Sequence, residues 1–324
     1  MRRTRETAHT AAAHASVCGN AVSRRAALQG LAAGVASLAL PRLGFAAGRV
    51  TVCRVTPEIN VLSGAGGNIV VLSTAAGQVL VDSGAAAATE DVLATLRELP
   101  GERVATLFNT HWHLDQTGGN EAIGRAGAAI IAHAKTQQRL AVGYYVPVED
   151  RYEKPLPEGA LPTRTFYTND ATTIADRRIE YGYLITAHTD GDIYVRFADA
   201  NVIAVGDVLS PERDPVLDWF GGGWLGGRVD ALAKLLQISD AGTRFVPSYG
   251  PVVGRAGVQA EHDLMLALFE IFVEHVRLGE SAADMLAAGV LDGLPRKLDD
   301  PAKFLYDAHK GFWAHHNKLM PDIV

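Results

Sequence analysis

Cysteine is scarce in this chain, and its scarcity limits how the fold can be stabilised. The sequence of 324 residues contains two cysteines, Cys18 and Cys53. We expect Cys18 to leave with an N-terminal leader, so that Cys53 is left alone in the mature chain. An internal disulfide is then excluded even in an oxidising compartment. The mature part is nevertheless long enough to build a full apolar core.

Long apolar runs are also lacking at the N-terminus, where a spanning helix would need about 20 apolar residues. The run Leu28 to Leu40 has only 13 residues, follows the pair Arg24 and Arg25, and precedes a small-residue cleavage site. A chance arginine pair before a core helix would be the alternative. We interpret residues 1–46 as a twin-arginine signal peptide. The expected product, residues 47–324, is periplasmic or secreted and has no membrane span after cleavage.

Basic residues are outnumbered by acidic ones, 30 to 36, which gives a formal net charge of −6. The predicted leader holds six arginines and one glutamate, so its removal changes this charge to −11. Such a surface repels phosphate polymers at long range. We therefore expect a small-molecule substrate and no nucleic-acid partner.

The chemistry is concentrated in the stretch Thr110 to Asn120, which reads THWHLDQTGGN. His111 and His113 are separated by one residue and are followed by Asp115. Side chains at this spacing diverge on a helix, so they converge only on extended or turning backbone. The apolar segment before them, Val104 to Asn109, suits a buried strand. The sequence therefore predicts a metal-ligand loop at the carboxyl end of a strand.

Two later residues stand in the same local context. His188 lies in a polar turn between two apolar strands, and Asp207 follows the apolar strand VIAVG. Zinc sites in proteins use three or four such ligands, bound at about 2.0 to 2.2 Å. The sequence thus supplies a candidate ligand set, which consists of His111, His113, His188 and Asp207.

Strands followed by helices recur in both halves of the chain. The clearest predicted elements are strands at 69–73, 78–82, 128–132, 179–185, 192–197, 202–205 and 245–247, and helices at 89–99, 134–140, 229–239, 258–278 and 301–319. This order predicts an α/β fold with two sheets packed face to face and helices outside. Periodicity disappears between residues 143 and 168, which form either a substrate-facing lid or a surface excursion.

Four motifs in this order resemble those of the metallo-β-lactamase-fold hydrolases: THWHLDQTGG, AHTDGDI, the VGD that ends in Asp207, and PSYGPV. The resemblance covers about residues 50–255, whereas residues 260–324 carry none. The segment Asp218 to Gly227 also resembles periplasmic members of that family. The resemblance implies an αββα four-layer sandwich with metal ions at the strand ends.

The resemblance also implies roles for individual residues. His111, His113 and His188 correspond to the first metal position, Asp207 to a carboxylate that bridges two metals, and Asp115 to the second position. This chain departs from the family pattern at two positions. Gln116 stands where the family has a histidine, and Tyr249 stands where the family has a second histidine.

These departures predict a centre with one metal. An amide oxygen is a poor zinc ligand, and a phenol must first lose a proton with a pKa near 10. We expect a periplasmic zinc hydrolase that opens an ester, lactone, thioester or lactam of a small molecule through a metal-bound hydroxide. Asp115 would handle the proton, and Tyr249 would donate a hydrogen bond to the developing oxyanion or leaving group.

Two other functions fit the same residues. A non-catalytic binding or accessory protein would keep the metal and the pocket but lack turnover. A mononuclear iron dioxygenase would use His111, His188 and Asp207 and would contain iron instead of zinc. Fold alone does not separate the three functions.

Overall fold

The computed structural model describes residues 50–146 and 150–317. The predicted signal peptide, residues 1–46, lies outside the described residues, and export by the twin-arginine route stays a prediction. The expectation for Cys53 concerns the mature chain after removal of Cys18, which lies outside the described residues, and it stays a prediction.

Seven strands form the first sheet. In spatial order they are β1 (Thr51–Arg54), β2 (Ile59–Ala65), β3 (Gly67–Thr74), β4 (Gly77–Val81), β5 (Val104–Phe108), β6 (Ala129–His133) and β9 (Arg164–Phe166). Strands β1 to β4 pair antiparallel, and β4, β5, β6 and β9 pair parallel. Every residue of β4 is buried, as expected for a strand that is covered on both faces.

Six strands form the second sheet. In spatial order they are β10 (Asn169–Ile174), β11 (Arg177–Tyr183), β12 (Ile193–Phe197), β13 (Val202–Gly206), β14 (Arg244–Pro247) and β15 (Val253–Gly254). All neighbours pair antiparallel except β13 and β14, which are parallel. The first strand of this sheet, β10, was not predicted from the sequence, because its residues NDATTI are mostly polar and only partly buried.

Within residues 50–146 and 150–317, eight α-helices accompany the sheets. They are α1 (Thr89–Glu98), α2 (Leu114–Thr117), α3 (Asn120–Arg125), α4 (Ala134–Ala141), α5 (Leu225–Gln237), α6 (Arg255–Arg277), α7 (Ala282–Ala287) and α8 (Pro301–Asn317). One apolar core lies between the two sheets, a second joins the first sheet to α1 and α3, and a third joins the second sheet to α5, α6 and α8. This is the predicted αββα sandwich, and the prediction is confirmed. In the described part of the chain, no helix is both long and apolar enough to cross a membrane.

The segment from residue 143 to residue 168 is more regular than its sequence indicates. It contains a hairpin of β7 (Tyr144–Val146) and β8 (Arg151–Glu153), and it ends in β9. Strand β9 pairs with β6 and forms the edge of the first sheet. The expectation of a stretch without regular structure is therefore wrong. Each of these strands has only three residues, which is too short to show the alternating apolar and polar pattern of a strand.

A buried charge cluster joins α5 to α6. Arg228 of α5 is fully buried, and its Nη2 lies 3.4 Å from Glu261 Oε1, while Arg296 Nη1 donates to Glu261 Oε2 at 3.0 Å. Arg228 also donates to the carbonyl oxygen of Asp207 at 2.9 Å and to that of Val216 at 3.3 Å. The cluster therefore connects the C-terminal helices to the loop that follows β13.

Removing Glu261 should destabilise the fold, because it leaves the Arg228 guanidinium buried without a counter-charge. We expect Glu261→Ala to lower the free energy of unfolding by about 3–5 kcal/mol, measured by urea denaturation in the presence of a chelator. Glu121→Ala removes an exposed i,i+4 ion pair with Arg125 and should cost no more than about 0.5 kcal/mol. Equal losses in the two variants would contradict this account of the cluster.

Candidate metal centre

His111 is oriented by a chain of hydrogen bonds that begins at the end of β4. Asp82 follows β4, and its two carboxylate oxygens accept from the backbone N–H and the hydroxyl of Thr110, each at 2.8 Å. The Thr110 hydroxyl oxygen lies 3.0 Å from His111 Nδ1. Because the hydroxyl proton goes to Asp82, its oxygen accepts from Nδ1–H. This tautomer leaves the Nε2 lone pair of His111 to face the centre.

His113 uses the opposite ring nitrogen. Its Nε2 donates to Asp218 Oδ2 at 3.0 Å, so Nδ1 faces the centre. Burial lowers the pKa of His113, but the hydrogen bond and charge of Asp218 outweigh burial, and the pKa is raised. Asp218 is itself held by the backbone N–H of Gly221 at 2.9 Å. Asp218 begins the segment DWFGGG, but nothing in the local sequence predicts it as the partner of His113.

His188 lies in the turn between β11 and β12. Its Nδ1 donates to the carbonyl oxygen of Val216 at 2.9 Å, which turns Nε2 towards the centre. The turn is fixed by Asp192, whose carboxylate accepts from the backbone N–H groups of His188 at 2.6 Å and Thr189 at 2.8 Å. Burial lowers the pKa of His188 to about 3. The ring is therefore neutral, as a metal ligand must be.

Asp207 follows β13 and completes the cluster. Its Oδ2 lies 3.9 Å from His111 Nε2 and 3.5 Å from His188 Nε2. His188 Nε2 and His113 Nδ1 are 3.1 Å apart. The four candidate ligand atoms all lie within 4.8 Å of one another. The structure thus brings together His111, His113, His188 and Asp207 as the sequence analysis expected.

A divalent metal ion fits these residues. The Nε2 of His111 is buried and has no hydrogen-bond partner among the described residues. When both rings are neutral, in the tautomers set by Asp218 and Val216, the facing nitrogens of His113 and His188 both present lone pairs at 3.1 Å, so a cation takes the place of the proton that would otherwise join them. In a tetrahedral site with bonds of about 2.0–2.2 Å, ligand atoms are about 3.3–3.6 Å apart. A bound cation satisfies all three imidazoles at once.

Asp115, Gln116 and Tyr249 form a separate group beside the centre. The Tyr249 hydroxyl and Gln116 Nε2 both donate to Asp115 Oδ2, the latter at 3.0 Å. Burial first, and then the charge of Asp115, raises the pKa of Tyr249 and keeps its phenol protonated. Among the described residues, the cluster that is able to hold a metal does not include Asp115.

A pocket of about 370 Å³ opens beside His113 and Asp115. Four of its lining residues are aromatic: Trp112, Tyr144, Trp219 and Phe220. From the sequence, four aromatic residues are candidates for the lining of an apolar cleft: Trp112, Trp219, Phe220 and Trp224. Trp224 does not line this pocket and stacks instead on His315, with ring centroids 3.9 Å apart.

Two segments without an assigned role reach the same pocket. The hairpin of β7 and β8 contributes Tyr144 and Glu153, which favours the substrate-facing interpretation for that part of residues 143–168. Helix α8 contributes Lys303 and Asp307, which pair with each other. No local sequence pattern marks α8 as part of a site, because its register on the pocket is set by tertiary packing.

The family comparison covers most of the sandwich. The model of the Metallo-beta-lactamase superfamily matches residues 62–248, which include all four candidate ligands. No curated protein matches the chain.

Solved structures share the fold at low sequence identity. A metallo-beta-lactamase from Pontibacter korlensis is 21% identical with a TM-score of 0.55, and the match covers 67% of this chain and 99% of that one. DIM-1 metallo-beta-lactamase is 17% identical with a TM-score of 0.55, and covers 68% and 99%. The stereoselective inverting sec-alkylsulfatase Pisa1 from Pseudomonas sp. is 16% identical with a TM-score of 0.58, over 82% of this chain and 50% of its own.

Loss of one imidazole should abolish metal binding and the stability that it brings. A metal at 100 times its Kd stabilises a folded protein by about 2.7 kcal/mol. We expect zinc to raise the free energy of unfolding of the wild type by at least this amount, and to have no such effect on His188→Ala. His262→Ala, on α6 and outside the cluster, serves as the control. An unchanged response of His188→Ala to zinc would exclude His188 as a ligand.

In the metal-free protein, His188 should contribute a loss of stability on acidification. Its pKa is about 3 when folded and 6.5 in the unfolded reference, so at this residue only the unfolded chain takes up a proton as the pH falls between these values. The His188 contribution to the free energy of unfolding therefore decreases below about pH 6.5 and levels off near pH 3. Relative to the wild type, His188→Asn should gain free energy of unfolding as the pH falls from 6 to 4 in urea titrations with chelator. Parallel slopes would refute the assignment of this proton to His188.

Proposed function

Because the chain belongs to the metallo-beta-lactamase superfamily, we propose that it is a metal-dependent hydrolase of a small-molecule ester, lactone, thioester or lactam. The convergence of three unprotonated imidazole nitrogens and Asp207 beside a pocket carries this proposal. Membership alone would not suffice, since one fold hosts many chemistries. The proposal is supported by four candidate ligand atoms that lie within 4.8 Å of one another.

We propose zinc as the metal, with one ion per chain. Three imidazole nitrogens and a carboxylate oxygen suit zinc, which prefers four ligands of these types. When bound, such an ion supplies Lewis-acid catalysis, which polarises a carbonyl or ester oxygen and acidifies water. The surrounding residues have the separate task of orienting the imidazoles, which Thr110, Asp218 and Val216 perform.

Asp115 is the proposed proton acceptor. It lines the pocket next to His113, and its position is fixed by the hydrogen bonds from Tyr249 and Gln116. A positioned carboxylate of this kind contributes about 10²–10⁴-fold in rate. Tyr249 was expected to donate to the substrate. Its hydroxyl is directed to Asp115, so we propose that it positions Asp115, and direct donation would require it to leave that partner.

The pocket favours a substrate with an apolar part. The pocket has aromatic walls. Its volume of about 370 Å³ falls within the range for small-molecule sites, about 300–1,000 Å³. The aromatic rings suit acyl or alkyl groups, and Lys303 and Asp307, which also line the pocket, suit a polar end. Because a sec-alkylsulfatase is among the structural neighbours, alkyl sulfate esters belong in any substrate panel.

Turnover of such a panel tests the proposal directly. Protein loaded with one equivalent of zinc should hydrolyse at least one ester, lactone, thioester, lactam or alkyl sulfate, and chelation should abolish the activity. Asp115→Asn should lower kcat by about 10²–10⁴-fold without loss of zinc, and Tyr249→Phe should lower it less. Asp263→Asn, an exposed site on α6, should leave kcat unchanged.

Each alternative function has its own outcome in this experiment. Zinc-loaded protein that binds panel compounds without turnover would support the accessory protein. Protein that purifies with iron and consumes oxygen would support the dioxygenase. Either result would overturn the proposed hydrolase.

A further inference from the structure

The two oxygens of Asp207 have different partners. Oδ2 faces the imidazoles of His111 and His188. Oδ1 accepts a hydrogen bond from Arg213 Nη2 at 2.6 Å. The carboxylate is almost fully buried, whereas the arginine side chain is one third exposed. Asp207 therefore faces the candidate metal centre with one oxygen and binds the Arg213 guanidinium with the other.

Arg213 also connects Asp207 to the group around Asp115. Its Cζ lies 3.6 Å from the ring centroid of Tyr249, in cation–π geometry. The hydroxyl of the same Tyr249 donates to Asp115 Oδ2. Contacts therefore run from Asp207 to Arg213, from Arg213 to Tyr249, and from Tyr249 to Asp115. A permanent cation, Arg213, thus lies between two carboxylates.

The groups around these outer carboxylate oxygens are hydrogen-bond donors. Arg213 carries N–H groups and no acceptor. The Tyr249 phenol is protonated and donates, and Gln116 directs its Nε2 amide to Asp115. A metal ion requires lone pairs at these positions instead of protons. Gln116 Oε1 is buried without a hydrogen-bond partner among the described residues, but an amide oxygen is a poor zinc ligand. The donor set therefore fits a carboxylate pair with its own hydrogen-bond partners better than it fits a second ion.

The charge balance leads to the same conclusion. Asp115, Asp207 and Asp218 carry three negative charges and Arg213 carries one positive charge, so a single divalent ion already neutralises the group. A second divalent ion would add two positive charges next to a guanidinium that cannot be deprotonated. Arg213 and a second ion therefore exclude each other.

We propose that the Arg213 guanidinium is a resident cation that takes the place of a second metal ion beside Asp207 and keeps the centre mononuclear. The inference rests on the proposed function, since it presupposes that the imidazole cluster binds an ion. It assigns Arg213 a positioning role: the residue neutralises the outer face of Asp207 and orders Tyr249. Unlike an ion, this cation cannot be removed by a chelator.

Metal stoichiometry in matched variants tests the inference. Gln116→His supplies a further imidazole next to Asp115, and we compare this variant with and without Arg213→Gln. Zinc per chain is measured by elemental analysis after equilibration with buffered free zinc, and cobalt-substituted samples are followed by their visible spectrum. Arg177→Gln, which removes an ion pair with Glu58 far from the centre, is the matched control, and circular dichroism confirms folding.

We expect one zinc per chain in the wild type, in Gln116→His and in Gln116→His combined with Arg177→Gln. Gln116→His combined with Arg213→Gln should bind two, and Arg213→Lys in the same background should return to one, because it restores the charge. Two zincs in Gln116→His alone, or one zinc after removal of Arg213, would overturn the inference. A wild type that binds no metal would instead overturn the proposed function.

Discussion

Three imidazole rings that present unprotonated nitrogens to one point form the constraint on which the site depends. The second nitrogen of each ring must therefore have a hydrogen-bond partner. Without that partner the ring could rotate, and the first nitrogen would no longer face the metal position. The fold supplies a different partner for each ring: the Thr110 hydroxyl, the Asp218 carboxylate and the Val216 carbonyl. The partners come from different segments, so the ligand geometry is a property of the assembled sandwich.

The C-terminal helices are part of this assembly although they lie beyond the family match at residues 62–248. Through Arg228, Glu261 fixes the carbonyl groups of Asp207 and Val216. The Val216 carbonyl in turn orients His188. A buried ion pair rarely increases stability over an apolar pair, but it holds a specific register. In this protein, the register is that of the metal-site loop that follows β13.

Sequence reasoning predicted the parts of the fold that local patterns determine. The strands β3 and β4, the helix α1 and the four ligands each follow from an apolar period or from a motif at a strand end. It missed β7, β8 and β9, which are too short to show a period, and β10, whose side chains are mostly polar. It also missed Asp218, Arg213 and Arg228. Their roles depend on contacts across the chain, such as His113 with Asp218 at a separation of 105 residues.

The most direct test of the central claim is the coordination shell of the metal in the purified protein, measured by X-ray absorption at the metal edge. The structure predicts scattering from three imidazole rings, with metal–nitrogen distances of about 2.0–2.1 Å, and one or two oxygen ligands. A shell with fewer than three imidazoles, or one that contains sulfur, would contradict the account.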